Sequence, residues 1–213
     1  MIEILDQLIQ NSDSWFQARL GSLGGSQITT AVSKGSGRQK LLYKKAAEIL
    51  SQTNEDGFKS KYLDRGHEFE AEARKYYAMS YQVEPIVIGM VRYDQYKHYS
   101  ADFLIGEDGF GEIKIRIPSV YLEYSDNGTL GTGDRRQVQW GFRVTGRKYC
   151  DHITYCPEMA QSGAMEPMIV QRIYPDEKEI KFLDDGSNKF IGELIQLIKR
   201  GRHKWKTKLW NTM

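Results

Sequence analysis

The sequence predicts an α/β protein in which helices pack around a central β-sheet, and three observations predict it. Leu41–Gln52 and Leu63–Met79 carry apolar residues at helical spacing; in the second, Phe69, Ala73, Tyr76 and Tyr77 form one stripe and Glu68, Glu70, Glu72, Arg74 and Lys75 fill the rest. From Val83 to Lys114 the pattern changes to short runs rich in β-branched and aromatic residues, separated by turn signals. Two further runs of that kind, Cys150–Tyr155 and Pro167–Ile173, follow a helical stretch at Arg136–Thr145. A chain of 213 residues suits one domain, residues 1–213, and can bury a core without covalent staples.

The elements follow in order. Residues 1–10 read as a short strand or the start of a loop. Ser12, Asp13 or Ser14 is placed to cap a short helix carrying Trp15 and Arg19. Gly21, Gly24 and Gly25 break that helix, and Ser26 is placed to cap the next, Gln27–Ser33. Lys34–Lys40 reads as a small basic loop and residues 53–60 as a polar one. Strands are expected over Val83–Tyr93, Tyr99–Ile105 and Gly111–Ile115, with Asp108-Gly109 as a hairpin signal. Pro118–Arg135 is polar and glycine-rich and reads as a mobile loop over a site. The helix Arg136–Thr145 ends at Gly146, and the chain closes with a helix over Asn188–Lys199 and a basic tail, 199–213.

Composition sets some exclusions. Net charge is +2, so charge balance alone does not announce a nucleic-acid protein. Lys199–Lys208 is strongly basic, with Trp205 within it and Trp210 beyond. That segment suits phosphate binding with base stacking, and equally a solvated helix end where cations meet the macrodipole. Two cysteines, Cys150 and Cys156, are too few for a disulfide framework, a four-cysteine zinc site or an iron–sulfur cluster; a reducing, cytoplasmic setting is expected. The start, MIEILDQLIQ, has two acids and no basic region, unlike a signal peptide, and no apolar run approaches membrane-spanning length.

Chemistry concentrates in YSADFLIGEDGFGEIKIR. Asp102 stands within an apolar run, and Glu112 and Lys114 alternate with Ile113 and Ile115. On a strand, alternate side chains share a face, so Glu112 and Lys114 point one way and the isoleucines the other. A turn near residues 106–109 folds the chain back and sets Asp102 opposite Glu112. Two carboxylates at close range repel unless a cation lies between them. Mg²⁺ prefers hard oxygen ligands and keeps several waters. Such an ion activates water and neutralises charge on a scissile phosphate, and Lys114 is placed to orient the water or stabilise the phosphorane. A surface ladder of ion pairs on one strand face gives the same pattern. Spacing does not choose a further acid among Glu68, Glu70 and Glu72.

At these residues the sequence resembles the bacteriophage lambda exonuclease family, also called YqaJ-type viral recombinase nucleases, within the PD-(D/E)xK superfamily. The likeness runs in order through WFQARLGSLGGS, RGHEFEAEA, YSADFLIGEDGFGEIK and QVQWGFRVTGRKYCDHITYCP, about Trp15 to Tyr155. The superfamily proline before the first acid is absent; Ala101 stands there. The resemblance implies a restriction-endonuclease-like core, a central mixed sheet flanked by helices. It implies Mg²⁺, with Mn²⁺ as the other candidate and two ions per site, held by Asp102, Glu112, the Ile113 carbonyl and Glu70, with Lys114 as the catalytic lysine. It implies a 5′-phosphate and DNA-binding set of Arg19, Ser26, Ser100, Gln139 and its neighbour Gln137, with Lys34 and Arg38 gripping the duplex and Leu63 as an apolar wedge.

Arg19 suits a phosphate through two charge-assisted bonds, and Ser26 through its hydroxyl and a helix start. Without the resemblance, the one reads as a surface arginine and the other as a plain cap. The family's activity implies 5′–3′ digestion of one strand of linear double-stranded DNA to mononucleotides, leaving a 3′ overhang. It also implies a homotrimeric ring, a single-strand annealing protein as partner, and a phage or prophage protein working in the bacterial cytoplasm. A structure-specific endonuclease of the same fold and a non-catalytic DNA-end-binding module are the competing readings; the second is expected to have lost Asp102, Glu112 or Lys114.

Overall fold

A computed structural model describes residues 2–54 and 61–210, with side chains for all of these except 61–64, 67 and 204–210. Strands and helices mix as expected. β1 (Glu3–Leu5) is followed by four helices, α1 (Asp13–Ala18), α2 (Gly25–Val32), α3 (Ser36–Ser51) and α4 (Lys61–Tyr81). Then come β2 (Pro85–Ile86), β3 (Met90–Asp94), β4 (Lys97–Tyr99), β5 (Phe103–Ile105) and β6 (Gly109–Ile115). α5 (Pro118–Asn127), α6 (Thr132–Thr145), β7 (Tyr149–Tyr155), α7 (Pro157–Ser162), β8 (Met168–Ile173) and α8 (Glu177–Trp210) complete the chain.

The central sheet has five strands in the order β2-β5-β6-β7-β8. Its β6–β7 pair is parallel and the others are antiparallel, so the sheet is mixed. The alternation expected along β6 sorts its two faces. Phe110 packs with α2, α3, α6 and α8 residues, including Ile28, Leu42, Trp140 and Phe190. Ile113 packs on the other face with Phe103, Ile153 and the α4 residues Ala73 and Tyr77. Gly111 faces that second side under Phe103, where a Cβ would lie 2.1 Å from the ring. A smaller sheet, β1-β3-β4, lies beside the first layer and is bridged at Lys97 to Leu23.

Several boundaries differ from expectation. The run Tyr99–Ile105 is not one strand: it splits at Ser100–Asp102 into β4 of the small sheet and β5 of the central one. Asp102 therefore stands at a crossing between sheets, where its side chain is free of the strand's alternation. Val83–Tyr93 likewise divides into β2 and β3. Lys34–Lys40 is a loop only to Gly35, because α3 begins at Ser36. Ser26 is not the cap of α2; Gly24 is, which puts Ser26 in the first turn. Pro118–Arg135 is largely helical: Pro118 starts α5, Gly128 ends it, and Tyr121 anchors it in the core. The last helix starts eleven residues earlier than Asn188, at Glu177. Among the described residues, no helix is long and apolar enough to cross a membrane. Most of residues 53–60 and the side chains of Trp205 and Trp210 lie outside the described residues.

Candidate active site

The β5–β6 pairing sets Phe103 opposite Gly111, and so Asp102 opposite Glu112. The Asp102 N–H donates to the Gly111 carbonyl at 3.2 Å, and the Asp102 carboxylate accepts the Ile113 N–H at 2.5 Å. N–H and C=O of one strand residue leave on the same side, so the Ile113 carbonyl also faces the edge where Asp102 stands. Glu112 is nearly buried and fully engaged. Its Oε1 accepts Lys114 Nζ at 2.8 Å and Gln137 Nε2 at 2.5 Å, and its Oε2 accepts the Tyr99 hydroxyl at 2.5 Å. Lys114 Nζ also donates to Gln137 Oε1 at 3.0 Å. Of the three acids that spacing left open, Glu70 lines the same cleft, which has a volume of about 540 Å³. Glu68 is exposed, and Glu72 accepts the Tyr155 hydroxyl elsewhere. Arg74, one helical turn beyond Glu70, donates to Glu70 at 3.1 Å and to the Asp102 carbonyl at 3.2 Å, tying α4 to the crossing.

The electrostatics show an excess of negative charge. Burial pushes the Asp102 carboxyl well above the usual range, and the nearby Glu112 and Glu70 push it further; the Ile113 N–H and Lys114 oppose this. Burial lowers the Lys114 ammonium, but Glu112 outweighs it and holds it above its ordinary value. Tyr99 is held well up by burial and by Glu112, so it stays a hydroxyl donor. This donor set suits a hard divalent cation: carboxylates, a carbonyl edge and a buried Asp102 whose charged form Glu112 and Glu70 disfavour. Among the described residues no three His, Cys, Asp or Glu side chains form a preformed cage.

A second cluster adjoins the first. Arg19 caps α1 and stacks on Trp15, its guanidinium carbon 3.7 Å from the ring centre. Its Nε donates to His98 Nε2 at 2.9 Å, so the imidazole proton is on Nδ1, facing Ser22 Oγ at 2.6 Å. The start of α2 threads between the two clusters. Gly24 lies against Arg19 and His98, and Gly25 against Tyr99 and Gln137; a Cβ on Gly25 would stand 2.7 Å from the Tyr99 ring and 3.0 Å from Gln137. Ser26 is exposed on that first turn, where helix N–H groups attract anions. Ser100 follows Tyr99, and its Oγ is buried with no hydrogen-bond partner.

Other expected residues are not brought here. Gln139 faces away from Lys114: it donates to the Tyr174 carbonyl and accepts the Asp176 N–H, joining α6 to the start of α8. Two positions along a helix are about 200° of rotation, so Gln137 and Gln139 occupy different faces; Gln137 is the one at the acids. Arg38 is committed to the Ala31 carbonyl and to Glu193 on α8. Lys34 is exposed just past the far end of α2, a helix about 12 Å long that starts after Gly24. The Leu63 side chain lies outside the described residues. Sequence reasoning missed Tyr99, Arg74 and His98. The one signal for Tyr99 was that a tyrosine in an apolar run needs a hydroxyl partner.

Two buried histidines give the fold a pH dependence. Burial, then Arg19, Lys45 and Arg92, hold His98 well below its ordinary value. Burial lowers His152 on β7 to about 4, with Lys114 and Arg116 adding and Asp134 opposing. An unfolded chain takes up these protons near pH 6.5 and the folded one only below that. Their contribution to stability is thus fully present above about pH 6.5 and is lost as pH falls toward 4. Unfolding in urea from pH 7.5 to 4.5 is expected to lose ~2–3 kcal/mol through His152 alone, measured as the difference between wild type and His152→Phe. Parallel profiles would mean the imidazole is hydrated in the folded state.

Residues 14–148 match the model of the YqaJ-like viral recombinase domain. Among solved structures, the chain is similar to an alkaline exonuclease from Laribacter hongkongensis: 24% identity over 92% of this chain and 99% of that one, TM-score 0.84. The same figures hold for that enzyme in complex with dAMP. A phage related exonuclease from Haemophilus somnus 129PT is 11% identical over 84% of this chain and 96% of its own, TM-score 0.64. No curated protein matches the chain in sequence.

Proposed function

Because this chain belongs to the YqaJ-like viral recombinase domain family, we propose that it is a metal-dependent 5′–3′ exonuclease that digests one strand of linear double-stranded DNA to mononucleotides. Its fold is restriction-endonuclease-like, with helices on both faces of a five-stranded mixed sheet. The observation that carries the reading is the cleft where Asp102, Glu112 and Glu70 crowd one another beside Lys114. Asp102, Glu112, Glu70 and the Ile113 carbonyl would hold Mg²⁺ or Mn²⁺, two ions per site in the proposed form. The bound metal supplies a Lewis acid and a water of lowered pKa.

The chain's own residues do the rest. Tyr99 and Gln137 fix the Glu112 carboxylate from two sides. Lys114, cationic and anchored to Glu112 and Gln137, presents its ammonium where charge builds on a phosphate oxygen. Arg19, Ser26 and the N–H groups at the start of α2 receive the terminal 5′-phosphate, with the unpartnered Ser100 Oγ as a spare donor. His98, by accepting from Arg19 Nε, aims the guanidinium. The 3′ overhang, a homotrimeric ring that threads the product strand, and an annealing protein loading on the overhang complete the proposal.

The direct test is a linear duplex labelled at its 5′ or 3′ end, digested with Mg²⁺ or with EDTA. Release of labelled mononucleotide from the 5′ end first, in Mg²⁺ only, is expected. Internal cuts would favour a structure-specific endonuclease, and binding without digestion an end-binding module. Arg19→Ala is expected to lower the preference for 5′-phosphoryl over 5′-hydroxyl ends by roughly tenfold or more, the worth of a lost charge-assisted pair. An unchanged ratio of initial rates would remove Arg19 from phosphate recognition.

A further inference from the structure

The face that carries Glu112 and Lys114 continues onto the next strand. β6 and β7 run parallel with Glu112 beside His152 and Lys114 beside Thr154. Register partners on neighbouring strands project from the same face of a sheet, so His152 and Thr154 extend the catalytic floor by one strand. Above them, α5 and the first turn of α6 leave a cleft of about 550 Å³. It shares Arg116 and Val120 with the catalytic cleft, so the two lie side by side.

His152 is the unexplained group in that second cleft. It is 1% exposed, yet neither Nδ1 nor Nε2 has a hydrogen-bond partner. Buried polar atoms are rarely left so, and a neutral imidazole offers one donor and one acceptor. The Tyr124 ring stands 6.2 Å from the imidazole on the α5 side, held by its hydroxyl on Gln171. Charge argues against a phosphate ligand: Arg116 is paired with Asp134, and Glu123 adds a further acid to the lining. What matches is a flat, neutral group with donors and acceptors along an edge and a face to stack, of nucleoside size.

We propose that the cleft over His152 and Thr154 is a nucleobase subsite, which takes the base of a nucleotide flanking the cleaved phosphate and reads its edge with His152 while Tyr124 packs on its face. The inference rests on the nuclease reading, and its test separates the two. Full-length protein carrying ¹⁵N-histidine is titrated in EDTA with each of the four deoxynucleosides and, separately, with deoxyribose 5-phosphate. His152 is assigned by its absence in His152→Gln. Deoxynucleosides are expected to shift the His152 ring nitrogens, and deoxyribose 5-phosphate to leave them in place.

A second arm uses digestion in Mg²⁺ of duplexes whose 5′-terminal nucleotides are normal or abasic. Wild type is expected to have a KM roughly fivefold to tenfold lower on the normal end, from base stacking, and Tyr124→Ala to treat both ends alike. No shift with any deoxynucleoside, or a shift with deoxyribose 5-phosphate alone, would overturn the subsite even if duplex is digested normally. Shifts by deoxynucleosides in a protein that digests nothing would support the subsite and sink the nuclease reading instead.

Discussion

Lys114→Ala is expected to slow strand digestion by about 10²–10³ while duplex affinity stays within a few fold, the pattern for loss of a preorganised charge that acts on the transition state. Lys114 is 19% exposed at the cleft, so it can reach a substrate; it is also 2.8 Å from Glu112, so it is aimed. Without it, Glu112 keeps Gln137 and Tyr99 but loses its one ion-pair partner among the described residues. Single-turnover digestion of an end-labelled duplex, with binding read by anisotropy in Ca²⁺, separates chemistry from affinity. A rate within tenfold of wild type would remove Lys114 from the mechanism. A matching loss of affinity would make it a binding residue only.

The largest effect on stability is expected on the other face of β7. Asp151 is 1% exposed and accepts both Arg172 Nε at 2.7 Å and Arg172 Nη2 at 2.8 Å, a bidentate pair. Its Oδ2 also takes the buried Tyr77 hydroxyl at 2.5 Å, which joins α4 to the sheet. Asp151→Ala strands that hydroxyl in the core that includes Phe103 and Ile153. Arg172 is about half exposed and regains water, which limits the loss to ~2–4 kcal/mol rather than the upper range for a fully buried pair. Urea denaturation checks it. The control is Tyr77→Phe with Asp151→Ala, which removes the stranded group and is expected to recover part of the loss. No recovery would mean the cost comes from Arg172 alone.

How far the site can be read from sequence depends on how local its causes are. The hairpin that sets Asp102 against Glu112 was legible because a turn signal and strict alternation lie within fourteen residues. The sorting of Ile113 away from Lys114 followed from the same period of two. The break at Ser100–Asp102 was not legible, since apolar residues continue through it and the strands on either side belong to different sheets. α5 was hidden because one core residue, Tyr121, anchors it and its outer side chains are mixed. Gln137 and Gln139 look alike in sequence; the start of α8, 35 or more residues away, decides which is used for structure. His152 entered the floor through a parallel pairing across forty residues, which no local pattern announces.

β4 is three residues long, and two of them face the two halves of the site. His98 holds Arg19, and Tyr99, one peptide later, holds Glu112. Successive Cα atoms are about 3.8 Å apart, so the group that would seize a strand end and the group that would cut it are both anchored to neighbouring residues of one strand. Under the proposed chemistry this strand works as a ruler. Step size along DNA would then resist side-chain substitution at either end. An insertion or deletion between residues 98 and 99, or a slip of β4 against β3, would change it.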